Sequence, residues 1–106
     1  MHDRSDTNTQ AMLRLRVERF DLMTRVLGCE SDTARAALIN MTYQSVRRAK
    51  RDNIIGGVFV AQTIAALRRH REELQQYGLA PTFDDLFEIV EEPATERVKE
   101  REPVAA

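Results

Sequence analysis

Apolar positions change spacing several times along the chain, and each change marks an element. Leu13, Leu15 and Val17 alternate with Arg14 and Arg16, which predicts a short strand with one apolar face. From there the apolar residues move to helical spacing at Phe20, Met23 or Val26, and Leu27. A first helix is expected from about Val17 or Arg19 to Leu27, closed by Gly28; a start near Gln10 is the alternative. Ser31 or Asp32 supplies an N-cap for a second helix over residues 32–39. Asn40 stops it, because Asn tolerates the left-handed backbone of a sharp turn. Thr42 caps a third helix over residues 43–51, and Gly56 with Gly57 marks the next turn. A longer fourth helix is expected over residues 58–77, with Val60, Ile64, Leu67 and Leu74 on one face and Gly78 at its end. Thr82 and Asp85 have the spacing of a capping box for a last helix carrying Phe83, Leu86 and Phe87. Residues 87–90 fit either more helix or extended chain, and Pro93 ends them.

The flanks differ in kind. Residues 1–11 are polar and predict a disordered leader, and residues 93–106 predict an acidic, solvated tail. Residues 12–92 are left as one domain, in keeping with a chain of 106 residues. That length excludes the doubly wound and barrel enzyme folds. No run of about 18 apolar residues is present, so no membrane span is expected. No secretory signal precedes the domain, and the lone Cys29 allows no internal disulfide, so a reducing cytoplasm is the expected compartment.

Net charge is −1, but the distribution is uneven. Residues 1–42 balance; residues 43–71 carry seven basic side chains against Asp52, a net of +6; residues 72–106 carry a net of −7. The basic third is the candidate for anion contact. The cluster of Arg68, Arg69, His70 and Arg71 reads first as a solvated helix face and second as a further phosphate contact. Cys29 beside Glu30 lacks a cationic neighbour and reads as structural. His2 and His70 have no partner at ligand spacing, so no metal or other cofactor is expected. No nucleophile stands beside a base and no Gly-rich phosphate loop exists, so no enzymatic role is expected.

The chemistry concentrates in residues 32–51. Two short helices joined by a tight turn are the parts of a helix-turn-helix, whose second helix enters the DNA major groove. Ala36 is the small residue where the helices cross, Ile39 and Met41 flank the turn, and Val46 and Ala49 form the buried stripe of the second helix. The opposite side then carries Thr42, Tyr43, Gln44, Arg47, Arg48 and Arg51. Gln pairs bidentately with adenine and Arg with guanine, while Tyr and Thr reach phosphates or a thymine methyl.

On the stretch ARAALINMTYQSVRRAKRDN, then GGVFVAQTIAAL and TFDDLFEIV, the chain from Phe20 to Ile89 resembles the lambda-repressor-like (XRE) family of helix-turn-helix transcription regulators. The resemblance implies a mainly α, five-helix bundle that binds double-stranded DNA operators as a homodimer, typically as a repressor. It puts Gln44 and Arg47 at base-reading positions, and Thr42, Tyr43, Arg48 and Arg51 at base or phosphate positions. Small members of the family add a two-stranded sheet joining the N- and C-terminal segments, which residues 13–17 and 87–90 match. Arg35 stands where the family has an apolar residue, and Asn40 replaces the usual Gly. The competing expectation is an antitoxin-like or adaptor module that engages a basic protein partner through the acidic C-terminal region.

Overall fold

The turn chemistry sets the middle of the molecule. In the computed structural model, which describes residues 9–93, Ser31 is extended and its hydroxyl accepts from the Ala34 N–H at 3.1 Å. The first of the motif's two helices, here α2 (Asp32–Ile39), therefore begins where the cap requires. It ends at Asn40, whose φ of 59° is left-handed, and the Asn40 and Met41 N–H groups donate back to the Ala37 and Ala36 carbonyls. This satisfies carbonyls that a helix end otherwise leaves open. Thr42 then caps α3 (Tyr43–Arg47) by accepting from the Ser45 N–H at 3.0 Å.

Upstream, β1 (Thr9–Leu15) leads into α1 (Val17–Val26). α1 closes through Gly28, at φ 92°, with the Cys29 N–H donating to the Thr24 carbonyl. Downstream of α3 the chain continues without a break as a π-helical segment, Arg48–Asp52, which stops at left-handed Asn53. α4 (Gly57–Arg68), α5 (Arg71–Gln75) and α6 (Phe83–Leu86) follow, then β2 (Phe87–Pro93). Among the described residues the protein is thus mainly helical, with six α-helices and a two-stranded antiparallel sheet of β1 and β2. None of these helices is long and apolar enough to cross a membrane.

Leu13–Glu88 forms one compact unit and contains the core; residues 9–12 and 89–93 belong to a second. Within the first, Phe20 and Met23 of α1, Ile39 of α2, Val46 and Ala49 of the third helix, and Phe59 and Leu67 of α4 are buried together. Phe59 is the hub, with its ring centroid 6.3 Å from both Phe20 and Phe87, the latter edge-on. Such tilted aromatic contacts add to the area they bury. Arg16 joins the start of α1 to the end of α6, its N–H donating to the Leu86 carbonyl and its Nε to the Asp84 carbonyl.

Several expectations are corrected. β1 starts at Thr9, not Leu13, so residues 9–11 are strand; the rest of the expected leader lies outside the described residues, as does the expected tail beyond Pro93. The third helix is not α-helical through residue 51, because it widens into the π segment after Arg47. The fourth helix is two helices divided at Arg69 and His70, which raises the α-helix count above five. Leu67 and Leu74 of the expected face are fully buried, but Val60 and Ile64 are only partly so, and Phe59, Thr63 and Ala66 complete the buried stripe. For residues 87–90, where the sequence allows both helix and extended chain, the extended alternative holds, as a strand that ends at Pro93.

Candidate functional site

Packing of α3 against α2 fixes which side chains remain outside. Val46 and Ala49 are fully buried, and Ala36 on α2 is also buried, so the two helices meet over small side chains. Gln62 of α4 reinforces the joint by donating from Nε2 to the Ile39 carbonyl at 3.3 Å. That contact has no local sequence signal, since 23 positions separate the two residues.

The outer side of α3 and the π segment forms an open depression of about 490 Å³, lined by Tyr43, Gln44, Arg47, Arg48, Arg51 and Asp52. Five of the six residues expected to meet DNA therefore share one surface. Three of its lining side chains are arginines and one is an acid, so the depression carries a net positive charge. Gln44, Arg48 and Arg51 are exposed, and their side chains have no hydrogen-bond or ion-pair partner among the described residues. Their donors are available to a ligand. Thr42, the sixth residue, is exposed at the mouth of the turn, but its hydroxyl is engaged by the Ser45 N–H and lies 2.9 Å from the Ser45 hydroxyl. Its first role is the cap.

Arg47 is placed differently from its neighbours. Its guanidinium lies 5.9 Å from the Tyr43 ring centroid, a cation–π contact, while Nη1 donates to Asp32 Oδ2 at 3.3 Å. It sits at the border between the depression and a charged cluster that sequence reasoning did not find. In that cluster Lys50 reaches Asp32 Oδ1 at 2.8 Å and Asp21 Oδ1 at 3.1 Å. Arg35 donates to Asp32 Oδ1 at 3.1 Å and to the Thr24 hydroxyl at 2.7 Å. Burial works to raise the Asp32 carboxyl, but the hydrogen bond and charge of Lys50, with the hydrogen bonds from Arg35 and Arg47, outweigh it and hold the group below the ordinary carboxylate range. The cluster joins α1, α2 and the third helix. It therefore fixes the angle at which the depression is presented.

Other candidates stay apart. Arg71 lines a separate depression with Glu72, Gln75 and Pro81, and His70 pairs with Glu73 at 3.2 Å. Cys29 is partly buried and free. Among the described residues no group of three or more His, Cys, Asp or Glu is arranged to hold a metal ion. No protein-family model, curated protein or solved structure matches the chain.

Proposed function

We propose that this chain is a sequence-specific DNA-binding transcriptional regulator of the lambda-repressor-like kind, in which α2, the Asn40 turn and α3 act as a helix-turn-helix. The observation that carries the reading is the shared surface: Tyr43, Gln44, Arg47, Arg48 and Arg51 line one basic depression on the outer side of the helix that α2 supports. Gln44 and Arg47 read base edges in the major groove, while Arg48 and Arg51, exposed and without a partner among the described residues, hold phosphates. Thr42 caps the reading helix and Tyr43 supports the Arg47 guanidinium from its ring face. One such helix covers one half-site, so the protein acts as a homodimer at a pseudo-palindromic operator, in the manner of a repressor.

The test is binding of the full chain to labelled duplex across a salt series. Two phosphate contacts for each protomer, four for the dimer, give a slope of log affinity against log salt near −3.6, from about −0.9 for each contact. Absence of any affinity for duplex at low salt rejects the reading.

A further inference from the structure

Asp32 gathers three cations on two oxygens, and the three are not held alike. Oδ1 receives Lys50 at 2.8 Å and Arg35 at 3.1 Å, whose side chains are only 15% and 8% exposed. Oδ2 receives Arg47 at 3.3 Å, the longest of the three contacts, from a side chain that is 38% exposed. With Asp21, which meets Arg35 and Lys50 but not Arg47, the cluster has two acids and two enclosed bases. Arg47 is the surplus cation. When it leaves, Arg35 and Lys50 still pair with Asp32 through Oδ1, so the charge of the carboxylate stays compensated, and only Oδ2 gives up its hydrogen bond. Its guanidinium already borders the depression that it would enter.

We propose that Asp32 is an internal competitor for Arg47, a positioning residue that holds the guanidinium against α2 in the free protein and releases it only to a duplex offering a better acceptor. This rests on the DNA reading and deepens it. A random duplex offers Arg47 phosphate oxygens, anionic acceptors of the same kind as the Asp32 carboxylate already in place, and so gains little over it. A correctly placed guanine offers O6 and N7 together, a bidentate acceptor that matches the guanidinium fork. Asp32 therefore suppresses binding to random sequence more than binding to the operator, and sharpens specificity without touching DNA.

The test uses the full chain and a labelled random-sequence duplex across a salt series, with the folded fraction of each variant checked by thermal melting. Asp32→Asn should tighten random-duplex binding by about two- to fivefold, the range expected for freeing one half-exposed ion pair. It should also steepen the salt slope by up to about 0.9 for each protomer, one added phosphate contact. Asp21→Asn, which removes the same charge from the same cluster without touching Arg47, should give a smaller gain. Adding Arg47→Ala to Asp32→Asn should erase the excess over Asp21→Asn. An equal gain in both single variants, or a gain that survives loss of Arg47, overturns the proposal. If Asp32→Asn does not fold, nuclear magnetic resonance of the wild-type guanidinium groups decides. Arg47 should show hindered rotation about its Nε–Cζ bond in the free chain and lose its coupling to Asp32 on DNA, whereas rotation as free as that of Arg48 and Arg51 overturns the proposal. A wild-type chain that binds no duplex ends the DNA reading itself; binding in which Asp32→Asn matches Asp21→Asn ends only this inference.

Discussion

Arg35 donates through Nε to the Thr24 hydroxyl at 2.7 Å, so a buried arginine of α2 is tied to a buried threonine of α1. The Thr24 hydroxyl in turn lies 2.9 Å from the Phe20 carbonyl, its own acceptor one turn back. Through Nη1 the same guanidinium reaches Asp32. An arginine where the resemblance implies an apolar residue is thereby accounted for: it is enclosed, but its Nε and Nη1 have partners, as burial of a charge demands.

Arg35→Ala should destabilise the fold by about 3–5 kcal/mol, the usual consequence of breaking a buried pair by removing one partner. Arg35→Lys should recover only part of this, because a single ammonium cannot serve Thr24 and Asp32 in the planar geometry of the fork. Urea denaturation checks both. A loss below about 1 kcal/mol, typical of a surface pair, would contradict the burial argument.

The Asp32 carboxyl is held below its ordinary value in the folded chain. Its ion pairs therefore add stability that is fully present above the unfolded carboxylate value of about 3.9 and is lost as pH falls through the lower folded value. The stability difference between wild type and Asp32→Asn should be largest above about pH 4 and should shrink on further acidification. Urea midpoints for both proteins between pH 6 and 2.5 test this; a difference that stays constant across that window contradicts it.

Thr63 is fully buried on α4, and its hydroxyl has no hydrogen-bond partner among the described residues. Replacing it with the isosteric Val removes an unsatisfied polar group and keeps the shape. Thr63→Val should raise stability by about 1–2 kcal/mol. A drop in the melting temperature would show that the hydroxyl is satisfied.

Asn40 holds φ 59° at the turn between α2 and α3. Asn40→Gly should leave stability within a few tenths of a kcal/mol, whereas Asn40→Val, a β-branched residue forced left-handed, should cost about 1–2 kcal/mol. Equal effects from the two changes would mean that the turn relaxes to another conformation.

How much of this was legible in the sequence depended on distance along the chain. Ser31, Asn40, Thr42, Gly28 and Thr82 marked their helix ends correctly, because a cap is chemistry among residues three or four positions apart. Val46 and Ala49 were recognisable as the buried stripe of the third helix for the same reason. The candidate surface followed by subtraction, and Tyr43, Gln44, Arg47, Arg48 and Arg51 do share it. Lys50 escaped notice because its acids lie 29 and 18 positions upstream and meet it only after α1, α2 and the third helix pack. β1 begins four residues earlier than the alternation suggested, since a strand also forms by backbone pairing where side chains are polar. Leu67 was legible as a core residue of α4, but the burial of Phe59 was out of reach, because it depends on the space beside Phe20 and Phe87.

Whether the depression on α3 reads DNA is decided by selection from a random duplex library with the purified full chain. The account predicts enrichment of a pseudo-palindromic site, lost at defined base positions in Gln44→Ala and Arg47→Ala, with each changed contact worth about 1–3 kcal/mol of discrimination. Arg48→Ala should weaken binding to all sequences alike and reduce the salt slope by about one for each protomer. A library that emerges unenriched, from a wild-type chain that is folded and at low salt, would contradict the account.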